Sequence, residues 1–445
     1  MNLKTWFYLQ KYNILKPGSI RYYHQLRANE KLSREELENL HWGKLFSLIK
    51  YAGTHSPFYR NKLKSMGASV HDFLSRENYE YFPVLTRDDL RNYFNEIRVP
   101  EFPSKALQLS TTGGSSGKPV SVLIPKHFPR AALGWRMYAS WGLEPSVNWA
   151  RTYRNTTLTL KDKFIQKVID FPIRTLLLDA SVFTEEDIAV FLKQFNRLKP
   201  KLLQGYVGAI DNVAEYILSN KISITSPAAV WVTSAPLSNV QRNKITKAFQ
   251  APVYDQYGCC EVYWLATECT AHQGLHILHD ARRIEFLDEK HHNVEAGKDG
   301  DIAITDLENY AFPIIRYLNG DRGHLLPHPC SCGSPFPLMG HVEGRISDTL
   351  KFPSGQIING EFLTTLFDNY PDLIKRFHIH QNKDFSLILQ VVPNHSQEVI
   401  SPILDEIVAQ LRAKIKDEVH ISVHFVSQID LIRGKLRFVT TDIEQ

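Results

Sequence analysis

The stretch between residues 184 and 232 constrains the fold most strongly, because probable helices alternate there with short apolar strands. The spacing of apolar residues predicts helices over 184–197, which starts at a Thr184 cap, and over 207–218, and a strand over 229–232. Such alternation is typical of layered folds in which helices cover a largely parallel sheet. The sequence therefore predicts an α/β core with parallel sheet content.

Elements on either side extend this core. Upstream, apolar residues recur at helical spacing over 34–52, and Ser33 with Glu36 matches a capping box, so we expect a helical lead-in within residues 1–95. Downstream, residues 284–286 and 301–306 have the pattern of strands between polar turns. A β-rich subdomain is therefore expected after the α/β part.

The sequence changes character near Gly344. Strands are predicted over 377–380 and 386–392, followed by a helix and a final strand over 420–426. One face of that helix carries the apolar residues Ile400, Ile403, Leu404, Ile407, Val408, Leu411 and Ile415. A chain of 445 residues exceeds a single ordinary core. We therefore predict a large multi-layer domain over 1–343 and a small mobile α+β lid over 344–445.

Residues 111–119 form a run of hydroxylated side chains and glycines that ends in Lys118-Pro119. Such a loop can wrap phosphates with backbone N–H groups, hydroxyls and one ammonium, because glycine lets the backbone approach closely. It is not a Walker A loop, since only three residues separate Gly113 from Gly117 and a proline follows the lysine. The alternative for this segment taken alone is a flexible surface linker.

Composition and charge exclude several classes of protein. Hydrophobic residues make up 43% and charged residues 22% of the chain, which is typical of a compact soluble fold. The net charge of +5 gives no case for a nucleic-acid partner, and no apolar run has the length of a transmembrane segment. Residues 1–16 mix aromatic residues with lysines but lack a signal-peptide core, so we expect a cytoplasmic protein. An amphipathic helix on a membrane is one interpretation of residues 1–16, and docking onto the parent domain is the favoured one.

Five motifs in order resemble the adenylate-forming enzyme superfamily. They are the 111–119 loop, Tyr257-Gly258-Cys259-Cys260-Glu261, the segment from Gly300-Asp301 to Gly320-Asp321, Gly344-Arg345 with the residues to Lys351, and Gly434-Lys435-Leu436-Arg437. The chain is most similar to the phenylacetate-CoA ligase branch, including relatives named CapK after capsular polysaccharide clusters. Ser-Pro-Phe-Tyr-Arg at 56–60 and Leu-Thr-Arg-Asp-Asp-Leu at 85–90 extend the resemblance to nearly the whole chain.

The resemblance implies a ligase that uses ATP and Mg²⁺ to convert a small carboxylic acid to its acyl-adenylate, with release of pyrophosphate. The acyl group would then pass to a thiol, for which CoA is the first choice. An alternative acceptor is a sugar, an amine or a carrier in polysaccharide biosynthesis, without CoA. A different class of function is a nucleotide-binding scaffold that has lost catalysis. The acid and the oligomeric state cannot be read from the sequence.

Roles for individual residues follow from the same resemblance. The nucleotide phosphates would contact the loop residues Thr112, Gly113, Gly114, Ser115, Ser116, Gly117 and Lys118. Tyr257 and Gly258 would form a wall for adenine opposite the loop of Ser234, Ala235 and Pro236. Glu261 would hold Mg²⁺, which prefers hard oxygen ligands. Outside the family context, a Tyr-Gly pair followed by an acid is usually only a turn.

The ribose and the reacting phosphate would be held by three further residues. The two carboxylate oxygens of Asp321 match the ribose diol. Arg345 would reach the ribose or the α-phosphate, and Lys435 would bridge the carboxylate and the α-phosphate in the transition state. Two departures from the family stand out: Ser347 precedes Asp348 where many members have an acid at the hinge, and Cys260 replaces a hydroxylated residue.

The cysteines suggest a separate metal site. Six residues separate Cys269 from His276, and Cys330 and Cys332 form a Cys-x-Cys pair, a set of ligands that suits tetrahedral Zn²⁺. Four protein ligands leave no open position, so such a zinc would be structural. The alternative is a group of reduced buried cysteines beside a surface histidine, because five unevenly spaced cysteines do not make a disulfide framework.

Overall fold

The structure is a computed structural model of the chain. It describes residues 2–111, 120–153, 167–180, 185–342, 350–354, 357–358, 366–367, 370, 373–429 and 438–443. All statements below refer to these residues.

The helices of these residues begin and end as follows. They are α1 (Leu3–Leu15), α2 (Ser19–Asn29), α3 (Arg34–His55), α4 (Pro57–Ser65), α5 (Arg87–Asn92), α6 (Phe94–Ile97), α7 (Ala131–Ser140), α8 (Glu185–Leu198), α9 (Val207–Ser219), α10 (Asn239–Phe249) and α11 (Gln397–Lys414).

The strands fall into antiparallel and parallel groups. They are β1 (Leu107–Thr111), β2 (Ser121–Pro125), β3 (Trp149–Tyr153), β4 (Thr175–Asp179), β5 (Leu202–Tyr206), β6 (Ala229–Thr233), β7 (Val253–Cys259), β8 (Tyr263–Glu268), β9 (Leu275–Ile277), β10 (Arg282–Leu287), β11 (Gly300–Asp306), β12 (Tyr317–Gly323), β13 (Leu338–Met339), β14 (Leu350–Lys351), β15 (Ile357–Ile358), β16 (Ile374–Gln381), β17 (Leu387–Pro393), β18 (Ile421–Phe425) and β19 (Val439–Thr441).

The chain divides into two compact units, each built from separate stretches. The first unit comprises Met1–Val147, Phe164–Arg174 and Tyr254–Val342, and the second comprises Asn148–Lys163, Thr175–Val253 and Glu343–Gln445. The sequence predicts a different division, into a large domain and a lid over 344–445. That division groups residues by function rather than by compactness, and it stays a prediction.

The first unit joins the helical lead-in to antiparallel β-structure. Strand β11 lies between β10 and β12, and β8 lies between β7 and β9, with every pair antiparallel. Helix α3 begins with the predicted capping box at Ser33, and its apolar face is buried at Leu45, Leu48 and Ile49. These side chains belong to the same core as Ile302 and Ile304 of β11. The helical lead-in therefore packs on the predicted β-rich part.

Helix α1 is anchored to the first unit by one face. Its Thr5 hydroxyl lies 2.6 Å from that of Ser146, and Tyr8 and Tyr12 pack edge-on against Trp135 of α7, with ring centroids 5.8 and 5.0 Å away. Docking onto the parent domain, the interpretation favoured from the sequence, is thus what the structure contains. None of the described helices is long and apolar enough to cross a bilayer.

The second unit contains the predicted parallel sheet. Strand β3 pairs with β4 and with β5, and β5 pairs with β6, all in parallel register. Helices α8, α9 and α10 supply apolar side chains to its core, among them Phe195, Ile210 and Phe249. The parallel strands and their connecting helices confirm the α/β core that the alternating sequence pattern predicts.

The carboxyl-terminal part of the second unit is a small α/β layer. Its sheet has the order β18, β17, β16 and β19, and α11 buries Ile400, Leu404, Ile407 and Leu411 against it. The strand predicted over 420–426 is present as β18, but it is not the final strand, because β19 follows and pairs with β16 in parallel. Three residues are too short a run for alternation to signal a strand, so the pairing with β16 decides it.

An ionic cluster connects this layer to α9 within the second unit. Lys375 of β16 lies 3.4 Å from Glu215, and Lys244 of α10 lies 3.1 Å from Asp211 and 3.2 Å from Glu215. Asp211 is buried, and Arg376 hydrogen-bonds the neighbouring Asn212. Ion pairs of this cluster thereby link helices α9 and α10 to strand β16.

Candidate active site

Strand β12 presents three polar side chains on one face. Tyr317, Asn319 and Asp321 alternate with more exposed neighbours, and all three are buried. The period of two along a strand puts residues i, i+2 and i+4 on the same side. β12 therefore delivers a phenol, an amide and a carboxylate to one edge of the first unit.

Tyr257 and Asp321 are directly hydrogen-bonded. The Tyr257 hydroxyl donates to Asp321 Oδ2 over 2.8 Å, and Asn319 Nδ2 donates to the same oxygen over 2.6 Å and to the Tyr257 hydroxyl over 2.7 Å. Burial and then the Asp321 charge raise the pKa of Tyr257 well above its ordinary value, so its hydroxyl remains a donor. The network fixes both the Tyr257 ring and the Asp321 carboxylate. Asp321 can accept hydrogen bonds from both hydroxyls of a ribose only if the hydrogen bonds that Oδ2 now accepts are replaced.

Glu261 is the second buried carboxylate of this region. It lies in the turn between β7 and β8 with 3% of its surface exposed, and Tyr317 donates a hydrogen bond of 2.8 Å to its Oε1. Burial and the Glu261 charge raise the pKa of Tyr317 above its ordinary value. Tyr317 is therefore a fixed donor to this carboxylate.

Gly258 is required by the approach of β8 to β7. The strand register shifts between Tyr257 and Gly258, and a Cβ at position 258 would collide with the carbonyl oxygen of Tyr263. A larger residue would push the strands apart. Glycine here therefore sets the position of the turn that carries Glu261.

The predicted phosphate loop is framed by a hairpin. Strands β1 and β2 are antiparallel, Thr111 is paired with Ser121, and their hydroxyl oxygens are 3.0 Å apart. Ser110 donates to the carbonyl of Cys260 over 3.1 Å, so β1 is hydrogen-bonded to the turn that carries Glu261. The loop residues Thr112, Gly113, Gly114, Ser115, Ser116, Gly117 and Lys118 lie outside the described residues.

The remaining predicted site residues fall in two groups. Ser234, Ala235 and Pro236 follow β6 in the second unit, and Ser234 has a left-handed backbone with φ of 78°. A non-glycine residue in that conformation is strained, which is common at functional sites. Arg345 and Lys435, and the hinge candidates Ser347 and Asp348, lie outside the described residues.

The four predicted metal ligands come together in the first unit. The ligand atoms of Cys269, His276, Cys330 and Cys332 all lie within 4.8 Å of one another. The Cys269 and Cys330 sulfurs are 3.6 Å apart, and Cys332 Sγ lies 3.3 Å from His276 Nε2. Sulfurs around a tetrahedral Zn²⁺ are separated by about 3.7 Å, because each Zn–S bond is about 2.3 Å long. The spacing and the donor types thus fit zinc.

Burial and hydrogen bonding set the protonation and the orientation of these ligands. Burial raises the pKa of the Cys269 thiol to about 12 and also raises the pKa of Cys332, so the thiols keep their protons when no positive charge is near. Burial lowers the pKa of His276, and its Nδ1 lies 3.3 Å from the Phe336 carbonyl, which leaves Nε2 directed at the sulfurs. A hydrogen bond from the second ring nitrogen is how proteins orient a ligating histidine.

Comparisons with known proteins agree with this architecture. Residues 350–442 match the family described as the CapK C-terminal domain. Protein CapK of Staphylococcus aureus is 23% identical over 95% of this chain and 93% of its own length. Phenylacetate-coenzyme A ligase of Thermus thermophilus is 24% identical over 72% of this chain and 73% of its own length. A crystal structure of 2-hydroxyisobutyryl-CoA ligase, in the postadenylation state with an acyl-AMP, has a TM-score of 0.77 at 19% identity and covers 93% of this chain and 91% of that one.

The chain is thus similar to CapK over almost its whole length and to phenylacetate-CoA ligases over about 72% of it, as the motif order predicts. Its fold is the mixed α/β fold of adenylate-forming ligases with a small carboxyl-terminal α/β part, as predicted. The motif order found in the sequence agrees with this similarity.

Two residues of this site were not singled out from the sequence. Tyr317 and Asn319 belong to a motif that was noted, but only Asp321 was given a role. The signal was present, because alternation along a strand puts all three on one face. What the pattern does not contain is the identity of the partners, Glu261 and Tyr257, which lie more than fifty residues away along the chain.

Proposed function

We propose that this protein converts a carboxylic acid to its acyl-adenylate with ATP, releases pyrophosphate, and transfers the acyl group to CoA. The observation that carries the proposal is the pair of buried carboxylates, Glu261 and Asp321, each held by a tyrosine hydroxyl beside the hairpin that frames the phosphate loop. A carboxylate that is buried and held by a tyrosine hydroxyl is positioned before the nucleotide binds. The phenylacetate-CoA ligase and 2-hydroxyisobutyryl-CoA ligase relatives support the same reaction.

Each part of the site has a defined task in this proposal. Asp321 binds the ribose, the Tyr257 ring covers the adenine, and the 112–118 loop binds the β- and γ-phosphates. Glu261 holds Mg²⁺, which supplies positive charge for the phosphates when it is bound. Lys435 and Arg345 contact the reacting carboxylate and the α-phosphate. An anionic nucleophile approaches an anionic phosphorus in this reaction, so the positive groups offset charge that is greatest in the transition state.

ATP–pyrophosphate exchange tests the first half-reaction. We expect exchange that depends on one member of a panel of carboxylic acids, and a CoA thioester when CoA is added. Glu261→Gln keeps the size of the side chain and removes its charge, so exchange should fall by a factor of about 10². Glu295→Gln, at a glutamate whose side chain is 81% exposed, is the matched control and should exchange like the wild type. A protein that exchanges with no acid in the panel would be a nucleotide-binding scaffold instead.

The identity of the acceptor has a second candidate. The carboxyl-terminal family match is to CapK, and the CapK relative covers more of this chain than the phenylacetate-CoA ligase does. A sugar, amine or carrier acceptor in surface polysaccharide biosynthesis is therefore the alternative to CoA, with the cytoplasm as the compartment. Exchange activity without any thioester product would select this alternative.

A structural Zn²⁺ belongs to the proposal as well. Its support is the cluster of Cys269, His276, Cys330 and Cys332, whose ligand atoms all lie within 4.8 Å of one another. We expect one zinc per chain by elemental analysis and a lower melting temperature after treatment with a strong chelator, because a ligand that binds only the folded state stabilises it. Cys330→Ser should lose the zinc, and Cys260→Ser, at an exposed cysteine outside the cluster, should keep it. Zinc far below one per chain in the wild type would refute the site.

A further inference from the structure

The outer face of α1 carries an apolar surface that the rest of the described chain leaves uncovered. Leu3 is 80% exposed and Ile14 is 79% exposed, and Trp6 and Phe7 lie between them with nearly half of each side chain exposed. Leu3, Phe7 and Ile14 follow one another at helical spacing of four and seven residues, so they form one ridge. With a rise of 1.5 Å per residue, this ridge is about 16 Å long.

A second segment of the first unit extends this apolar surface. Phe171 is 60% exposed and Val168 is 55% exposed, and the Phe171 ring packs edge-on against Phe7 with centroids 6.2 Å apart. Lys11 donates hydrogen bonds to the carbonyls of Val168 and Ile169, which fixes this segment beside α1. We call Leu3, Trp6, Phe7, Ile14, Val168 and Phe171 the α1 patch.

The inner face of α1 is already buried, so the α1 patch is not the face by which the helix packs on its own domain. Thr5, Tyr8 and Leu9 are already buried against the first unit, and Asn2 caps the helix and bonds Glu144 over 2.6 Å. The helix is therefore rigidly docked while its opposite face holds large apolar side chains in water. Exposed apolar side chains that form a contiguous patch mark an interaction surface.

Charge around the patch identifies the partner. Lys4 and Lys11 lie on the flank of the same helix, and Lys167 and Arg174 lie on the segment beside it. Asp170, which is close to Lys11, and Glu144, which bonds Asn2, are acidic residues of this region. Apolar and aromatic side chains rimmed by an excess of basic ones are the features of a helix that lies in the interface of an anionic bilayer.

We infer that the α1 patch docks the protein on the surface of anionic membranes, with α1 parallel to the bilayer plane. The apolar ridge enters the region between headgroups and acyl chains, and Lys4, Lys167 and Arg174 face the headgroups. A second copy of the chain is the other occupant that an apolar ridge could accept. The basic rim disfavours it, since pairing two such ridges would bring like charges together.

Sedimentation with lipid vesicles tests the inference. The full chain should pellet with vesicles of phosphatidylcholine and phosphatidylglycerol at 7:3 and remain in solution with phosphatidylcholine alone. Each basic residue near an anionic surface favours binding by roughly fivefold, so the two compositions should differ by at least about tenfold. Binding should weaken in 0.5 M salt, because the screening length falls to a few ångströms.

Variants separate the patch from general stickiness. Leu3→Ser with Ile14→Ser should reduce binding to the anionic vesicles by at least about tenfold, since inserted apolar area drives the interaction. Val190→Ser with Val399→Ser changes two residues with 56% and 50% exposure elsewhere and should bind like the wild type. All four positions are exposed, so melting temperature should stay at the wild-type value.

Three results would overturn the inference. The first is wild-type protein that fails to pellet with the anionic vesicles, which needs no variant to interpret. The second is equal binding by the wild type and the Leu3→Ser, Ile14→Ser variant. The third is a wild-type dimer by light scattering that the same variant converts to a monomer, because the patch would then join two copies of the chain.

Discussion

The hydrogen bond from Tyr317 to Glu261 offers the sharpest test of the proposed site. Tyr317→Phe removes one oxygen atom and leaves the buried ring in place. The lost bond is 2.8 Å long and its acceptor is a carboxylate with 3% of its surface exposed. A hydrogen bond to a charged group contributes about 1.5 to 3 kcal/mol, so the carboxylate should lose that much of its positioning energy. If the transition state depends on that position, exchange should slow by a factor of about 10 to 150.

Tyr257→Phe is the companion change at the other carboxylate. Asp321 Oδ2 still accepts from Asn319 after the substitution, so its carboxylate stays partly fixed and the loss should be smaller, about 1 kcal/mol. Since the ribose contact exists both before and during the reaction, we expect the loss in the KM for ATP rather than in kcat. The two phenylalanine variants should therefore differ in which kinetic constant changes.

Tyr59→Phe supplies the control. Tyr59 is 1% exposed in the same unit, its hydroxyl donates to the Pro313 carbonyl over 3.1 Å, and it contacts no site carboxylate. This variant should lose some thermal stability and keep wild-type exchange kinetics. Wild-type exchange by Tyr317→Phe would refute the role of this hydrogen bond. An equal loss of exchange in Tyr59→Phe would show that the effect comes from destabilising the fold.

Three further predictions concern the lid, the strand contact and pH. Lys435→Ala should reduce exchange by about 10² to 10³ while ATP binding persists, and wild-type exchange would remove this lysine from the mechanism. Gly258→Ala should lower the free energy of unfolding by about 1 to 3 kcal/mol, because its Cβ meets the Tyr263 carbonyl; an unchanged melting temperature would contradict this. Burial holds the pKa of His41 well below its ordinary value. Below about pH 6.5 the unfolded chain therefore takes up a proton that the folded protein does not. The contribution of His41 to the free energy of unfolding is complete above that pH and is lost as pH falls below it. Melting temperature should therefore fall from pH 7 to pH 5 with a shallower slope in His41→Gln, and parallel slopes would exclude His41 as the cause.

Local patterns in the sequence determined the elements of the fold to within a few residues. The helix predicted over 34–52 is α3 with its capping box, and the strands predicted over 377–380 and 386–392 are β16 and β17. Capping and apolar periodicity depend on residues that are close together in the chain, so the sequence alone is enough to predict them. The short strand β19 was missed because its formation depends on a partner strand some sixty residues away.

The order of the motifs likewise indicated the family resemblance, and with it which carboxylates and thiols to consider. Only the tertiary structure decided how they are paired. Glu261 and Asp321 are each fixed by a tyrosine from a distant strand, and the ligand atoms of Cys269, His276, Cys330 and Cys332 meet because β9 pairs with β13 and draws the two halves of the set together. The α1 patch is a similar case, since the sequence shows only that residues 1–16 mix aromatic residues with lysines, and packing against Trp135 decides which side chains remain in water. Contacts between residues distant in sequence depend on chain topology and packing, and these are properties of the whole fold rather than of any segment.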